Sequence, residues 1–321
     1  MRRADEPTPW DATEPDLDGP GEPTTFAELA ARWQTTQIHR PATVDLVDSQ
    51  LRNHILPAFG DRDPADIRPS DVQAWVRARA QHLAPTTVDL GYRIIRSICS
   101  MAVNDGVLDA TPCVDIRRPR RERPPVIPPT PEQVEAVRSE LPLRYRALVT
   151  LAAGTGLRQG ECLGLVRERL DFDDAVINVD RQLVTPTRGQ PVIAPPKTRS
   201  SYRRVPMPDV VADALVEHMV RFLPHESGLI FTNRRGLPIR RSTISDAWRS
   251  AARRVGVHAR FHDLRHFYAS LLIRHGESVK VVQARLGHAS ATETLDTYAH
   301  LWADNGDQTR AAVDAVLGHR T

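Results

Sequence analysis

The sequence predicts a mostly α protein with a small antiparallel β-sheet, divided into two domains. Three observations lead there. Apolar residues recur at helical spacing behind capping residues along most of the chain, short β-branched runs cluster between residues 176 and 207, and a stretch dense in Pro and Arg interrupts the pattern at 114 to 129. A chain of 321 residues also exceeds the length at which single hydrophobic cores usually stop growing.

Residues 1–23 are rich in Pro, Asp and Glu and poor in large apolar side chains, the composition of a disordered acidic tail. The first helix is expected behind the capping box Thr25-Phe-Ala-Glu28, with Leu29, Trp33 and Ile38 at roughly helical spacing. Pro41 opens a second pattern through Val44, Val47, Leu51 and Ile55. Ser70-Asp-Val-Gln73 reads as the cap of a third, through Val72, Trp75 and Val76. Pro85 leads a fourth, carrying Val88, Tyr92, Ile95, Ile98 and Val103 and stopping at Gly106. Residues 24–113 are therefore expected to form a helical bundle, and 114–129, with Arg117, Arg118, Arg120, Arg121 and Arg123 among five prolines, a stiff basic linker.

The second domain, 130–321, opens with Thr130 as N-cap, Pro131 at the first helical position and Gln133 three residues on. An apolar helix from Leu143 ends at Gly154-Thr155-Gly156, and Arg158 starts a short helix through Leu165. Strands are expected at 176–179, 191–194 and 203–207, with Lys197 in the connection between the last two. Helices follow near 208–222, 242–255, 262–275, 278–286, 291–301 and 308–317, with Gly276 and Gly287 as stops.

Charge is unevenly spread. The net of +3 comprises −5 over residues 1–23, −1 over 24–113 and +9 over 114–321, so a nucleic-acid partner would meet its main electrostatic contact in the second half. No run of about 18 apolar residues marks a membrane span, and the first residues lack the apolar stretch of a signal peptide, so no membrane partner and a cytoplasmic location are expected. Cys99, Cys113 and Cys162 are odd in number and form no C-x-x-C, against a disulfide framework or zinc ribbon and in keeping with a reducing compartment. Of the 43 basic residues all but two, Lys197 and Lys280, are arginine. Arginine does not release a proton near neutrality, whereas lysine does, so a lysine kept in such a chain suggests proton chemistry.

Cutting a phosphodiester requires a nucleophile, fixed positive donors or metals for the phosphate oxygens, and a proton source for the leaving oxygen. The acidic cluster Asp171-Phe-Asp-Asp174 reads as a turn entering a hairpin, and His262-Asp-Leu-Arg-His266 lacks the Glu of the zinc peptidase motif, so no metal and no cofactor are expected. The fixed-cation route is better supplied. Arg158 follows a glycine turn at a helix start, His262 and Arg265 lie three apart on one helical face, His288 follows a helix stop, and Tyr298 is a candidate nucleophile.

In this order, Thr155-Gly-Leu-Arg-Gln-Gly-Glu161, a lysine in a β-turn, His262-Asp-Leu-Arg-His266, Leu286-Gly-His288 and Thr297-Tyr298 resemble the catalytic signature of the tyrosine recombinase (phage integrase) family. The resemblance extends to residues 24–113, which look like the family's core-binding, SAM-like domain, ahead of an α+β catalytic domain. It implies a site-specific recombinase that works without ATP or metal. Tyr298 would attack the scissile phosphate to form a 3′-phosphotyrosine, Arg158 and Arg265 would clamp the non-bridging oxygens, and His288 would donate a further hydrogen bond. Lys197 would protonate the leaving 5′ oxygen, His262 would handle protons and orient, and Glu161 would support the site. Double-stranded DNA bearing specific sites is the implied partner, met by a homotetramer, with an accessory directionality factor in a phage or bacterial setting. Arg117, Arg118, Arg120, Arg121 and Arg199 are the candidate DNA-contacting arginines, and residues 307–317 a candidate helix for exchange between subunits. The alternatives are a non-catalytic DNA-binding relative and a type IB-like topoisomerase.

Overall fold

A computed structural model describes residues 25–39, 41–120, 125–186, 189–196, 198–222, 228–302 and 306–318. The expected tail at 1–23 lies outside these, as do Lys197, Arg121 and Arg123. The chain separates into two compact units, Met1–Glu122 and Arg123–Thr321.

The first unit contains helices α1 (Phe26–Thr36), α2 (Pro41–Gln50), α3 (Leu56–Phe59), α4 (Pro69–Ala80) and α5 (Pro85–Asn104). The Thr25–Glu28 capping box forms, with the Glu28 amide donating to Thr25 Oγ1 and the Thr25 amide to Glu28 Oε2, both at 3.2 Å. Phe26, Leu29, Trp33, Val47, Ile55, Phe59, Val72, Val88, Ile95 and Ile98 fill its core. Ile38 and Val44 do not join them and face solvent. Between α2 and α3 the chain widens into a π-helical turn, Leu51–Ile55, where the Leu56 amide bonds the Leu51 carbonyl five residues back. Pro57 accounts for this, because it removes a helical donor and its ring crowds the preceding turn. The indole of Trp75 donates to the His54 carbonyl at 2.8 Å. Ser70 is not the cap of α4: Arg68 holds that position, Pro69 sets the start, and the Asp71 carboxylate accepts the Arg68 amide at 2.9 Å. α5 approaches α4 so closely at Gly91 that a Cβ there would lie 2.7 Å from the Trp75 ring.

The second unit comprises α6 (Pro131–Glu140), α7 (Leu143–Thr155), α8 (Gln159–Leu163), β1 (Leu170–Asp171), β2 (Val176–Val179), β3 (Gln182–Val184), β4 (Val192–Ala194) and β5 (Arg203–Pro206). These are followed by α9 (Asp209–Arg221), α10 (Arg241–Arg254), α11 (Asp263–Arg274), α12 (Val279–Leu286), α13 (Ala291–Tyr298) and α14 (Gly306–Leu317). Thr130 caps α6 with the expected box. α7 is the central helix, packed against α9 and α11, and its Leu148, Val149 and Leu151 are fully buried. Trp248 of α10 is buried edge-on to Phe261, with its indole donating to the Ala259 carbonyl at 2.7 Å.

The strands form two antiparallel sheets where the sequence leads to a single small one. β2 pairs antiparallel with both β1 and β5, whereas β4 belongs to a separate antiparallel hairpin with β3, in register Leu183↔Ile193. β1 and β3, of two and three residues, are too short to carry an alternating pattern. The acidic run 171–174 is a turn: Asp171 accepts the Asp174 amide at 2.9 Å, and Asp174 pairs with Arg204. No helix of the described residues is long and apolar enough to cross a membrane. Cys99, Cys113 and Cys162 are buried free thiols.

Candidate active site

The site begins at the end of α7. Gly156 takes the left-handed conformation (φ +65°) that ends the helix, and a Cβ there would lie 2.4 Å from Tyr268 Cδ1. This turn presents Arg158 as the N-cap of α8. Glu161, at the third position of that helix, accepts the Arg158 amide at 2.8 Å and Arg158 Nη1 at 3.1 Å. The Glu161 carboxylate is buried, and both of its oxygens are also taken by Arg203 of β5, at 2.8 and 3.1 Å. Burial opposes ionisation of Glu161, but the paired donors of Arg203 and the charges of Arg203 and Arg158 outweigh it and hold the carboxyl below its usual range.

Arg265, in the first turns of α11, is buried. Its Nη1 donates to the Gly156 carbonyl at 2.8 Å and its Nη2 to the Leu286 carbonyl at 2.7 Å. Arg158 Nη2 reaches the adjacent Gly287 carbonyl at 3.2 Å, and Arg203 Nε the Arg285 carbonyl at 2.8 Å. The left-handed turn that ends α12 is thus gripped by three guanidinium groups. Desolvation and then the neighbouring Arg158 lower the Arg265 pKa to about 9, still above neutrality, so the group stays charged. Three cations face one carboxylate here, an excess of positive charge suited to an anion.

His288 follows that turn and is buried, its Nδ1 2.8 Å from Thr294 Oγ1 and its Nε2 3.8 Å from Glu293. Burial, then Arg265 and Arg158, push its pKa down to about 3, so the ring is neutral. Tyr298, the last residue of α13, is 1% exposed. Its ring lies parallel to that of His288, centroids 6.4 Å apart, and its hydroxyl is 2.7 Å from His266 Nδ1. Burial raises the phenol to about 12 against the pull of Arg265, so the hydroxyl keeps its proton. His262, the N-cap of α11, stands edge-on to His266 at 5.2 Å and keeps an open face to solvent. The protein around its inner edge and then His266 and Arg265 lower its pKa.

The fold therefore brings Arg158, Glu161, Arg265, His288 and Tyr298 into one cluster, with His262 at its rim. Pro196 and Thr198, the neighbours of Lys197, line the groove that opens over Arg158, together with Gln182, Arg241 and Ala289. Lys280 is exposed on α12. Arg199 is exposed beside the groove, and Arg117 and Arg120 are exposed in the first unit. Arg118 is more constrained, pairing with Asp89 at 2.6 Å above the Tyr92 ring. Sequence reasoning did not pick out Arg203, Thr294 or the contact from His266 to Tyr298. Arg203 stands in an unremarkable Arg-Arg pair and Thr294 in no motif, but His266 was visible inside the H-D-L-R-H run.

A mostly helical protein with an arginine-rich anion centre beside a buried tyrosine is the class that this fold and site define. The chain belongs to the phage integrase family: the family's model matches residues 130–304 and that of the phage integrase central domain residues 26–119. It is 30% identical to the prophage phiRv2 integrase of Mycobacterium tuberculosis, over 91% of this chain and 78% of that one. It is 28% identical to the integrase of Mycobacterium phage D29, over 83% and 72%. Among solved structures, the Tn1549 transposon integrase in complex with a circular intermediate DNA superposes with a TM-score of 0.78 at 21% identity, covering 92% of this chain and all of that one. A lambda integrase tetramer bound to a Holliday junction gives 0.67 at 17% identity, over 85% and 80%.

Proposed function

We propose that this chain is a site-specific DNA recombinase that cuts and rejoins strands through a 3′-phosphotyrosine on Tyr298. The observation that carries the reading is the convergence of Arg158 and Arg265 on the Leu286–Gly287 turn, beside a tyrosine 6.4 Å from His288. Two guanidinium groups there would bind the non-bridging oxygens of a scissile phosphate and stabilise the charge that builds in its transition state. Neutral His288, oriented by Thr294, would donate from Nε2 to the same oxygens. Glu161 would hold Arg158 in place without reacting. Lys197 would protonate the leaving 5′ oxygen from between two residues that line the groove. His262 would orient the site from its rim. Tyr298 is buried, and the segment 286–297 that precedes it would control how its hydroxyl meets the phosphate. Because the phosphotyrosine keeps the bond energy, rejoining to a 5′-hydroxyl of a partner duplex would need neither ATP nor metal.

Residues 24–113 would act as the core-binding domain and 114–129 as a basic strap along the phosphate backbone, with Arg117, Arg120 and Arg121 as contacts and Arg118 tied to Asp89. The Tn1549 and lambda integrase structures hold DNA, and one lambda assembly is a tetramer. A tetramer on DNA in the cytoplasm, with a directionality factor, is the matching arrangement for this chain, and Val313, Val316 and Leu317 of α14 are exposed as a docking helix would require. The test is strand exchange between two plasmids, one carrying the coding sequence with its flanking DNA and one a genomic library of candidate partner sites. Junctions that depend on Tyr298 support the reading. Relaxation without junctions points to a topoisomerase, and binding without cleavage to a non-catalytic relative.

A further inference from the structure

We propose that His266 is a catalytic residue of this site, the base that takes the phenolic proton of Tyr298 when a strand is cut and returns it when the strand is rejoined. The inference rests on the recombinase reading above. Its ground is geometric. A nucleophilic hydroxyl needs a base within hydrogen-bond reach, and His266 Nδ1 lies 2.7 Å from the Tyr298 hydroxyl. The other two imidazoles of the site are placed differently. His288 has its Nδ1 engaged by Thr294 and lies parallel to the Tyr298 ring, and His262 meets His266 edge-on at 5.2 Å. His266 sits in α11 next to Arg265, so the proton acceptor and one phosphate clamp share a rigid element.

The protonation states agree with this geometry. Tyr298 keeps its proton, and the step uses the neutral His266 tautomer whose proton resides on Nε2, which leaves Nδ1 to accept the phenolic O–H along the 2.7 Å contact. His266 is packed among Asp263, Arg260, Arg265 and His262 on its own helix and the loop before it, with Tyr298 and His288 on the opposite side. Burial first, and the arginines with it, lower its pKa against the opposing charge of Asp263. It is therefore neutral at physiological pH, with its lone pair available.

The step balances. Tyr298 Oη forms a bond to phosphorus as its O–H proton passes to Nδ1, and the bond from phosphorus to O5′ breaks as that oxygen takes a proton from Lys197. In rejoining, an incoming 5′-hydroxyl returns its proton to the lysine amine, and the departing phenolate recovers its own from His266.

The test is the rate of covalent adduct formation on a supercoiled plasmid carrying the coding sequence and its flanking DNA, across roughly pH 5 to 9, for wild type, His266→Asn and His266→Ala. Asn accepts the same hydrogen bond but cannot take the proton. The wild-type rate should fall as pH drops through a value below the ordinary 6.5 of histidine. Both variants should be slower by about 10²- to 10⁴-fold at neutral pH and lose that acid limb, and added imidazole should restore part of the rate to His266→Ala. Full-rate cleavage by His266→Asn, or a slow His266→Ala with an unchanged pH profile and no rescue, would reduce His266 to a holder of Tyr298 and overturn the base role alone. A wild type that forms no Tyr298-dependent adduct would overturn the recombinase reading itself.

Discussion

Glu161 offers the sharpest structural perturbation. Its carboxylate takes four donors, the amide and Nη1 of Arg158 and both Nη atoms of Arg203, while its side chain and that of Arg203 are only 3% and 6% exposed. Glu161→Leu leaves the Arg203 charge buried beside Arg158 and Arg265 without its counter-ion. Removing one member of a buried pair costs about 3–5 kcal/mol. For a unit of this size each kcal/mol shifts Tm by about 2–4 °C, so the melting point of the full chain should fall by roughly 6–20 °C. Replacing both partners, Glu161→Leu with Arg203→Met, removes the charges together and should recover most of that loss, a coupling of at least about 2 kcal/mol between the sites. Thermal melts of wild type, both single variants and the double variant measure the cycle. The pH dependence has a defined sign. Glu161 ionises more readily folded than unfolded, so its contribution is full above the unfolded value of 4.5 and is lost as pH falls through the folded value. The gap between wild type and Glu161→Leu should therefore narrow in acid. A single variant melting within about 2 °C of wild type, or additive losses in the double variant, would refute the reasoning.

Lys197→Arg keeps the charge but not the releasable proton, so DNA affinity by gel shift should hold while cleavage drops by about 10²- to 10⁴-fold; unchanged cleavage would remove the role given to this lysine. Gly156→Ala forces a left-handed conformation on alanine and pushes a methyl into Tyr268, with an expected loss of about 2 kcal/mol or more in denaturant unfolding. Because Gly156 supplies the carbonyl that Arg265 holds, cleavage should suffer more than DNA binding in the same variant. Thr294→Val removes the hydroxyl beside His288 Nδ1 at nearly constant volume, and a loss of about 1 kcal/mol should appear as a roughly fivefold slower cleavage with unaltered DNA affinity.

What was legible in the sequence was local. The Thr25 and Thr130 boxes, the proline starts of α5 and α6, and the glycine stops after α7 and α12 each rest on residues within one turn of each other. Arg158 and Glu161 lie three apart, so their link to one helix start could be read directly. The start of α4 was misread because Ser70 and Asp71 both cap helices, and Pro69 decided between them. β4 is expected from the sequence, but its partner β3 escaped because three residues are too few for a period, and the π-helical turn because a single proline produced it inside an otherwise regular pattern. The gaps in the site are long-range. Arg203 of β5 meets Glu161 of α8 across 42 positions, and His266 of α11 meets Tyr298 of α13 across 32, in pairings that only tertiary packing determines. In the sequence His266 stands four residues from His262 as one half of a metal-like pair, whereas in the structure its Nδ1 lies against the Tyr298 hydroxyl.

Covalent trapping tests the central claim most directly. Wild type and Tyr298→Phe, in EDTA, are incubated with supercoiled plasmid carrying the coding sequence and its flanking DNA, and protein that resists detergent but yields to protease is sought on nicked strands. The account predicts an adduct, linked through Tyr298 to a 3′ phosphate, with wild type alone. Equal adduct from Tyr298→Phe, or tight salt-sensitive binding by both proteins with no adduct on DNA that contains the true site, would contradict it.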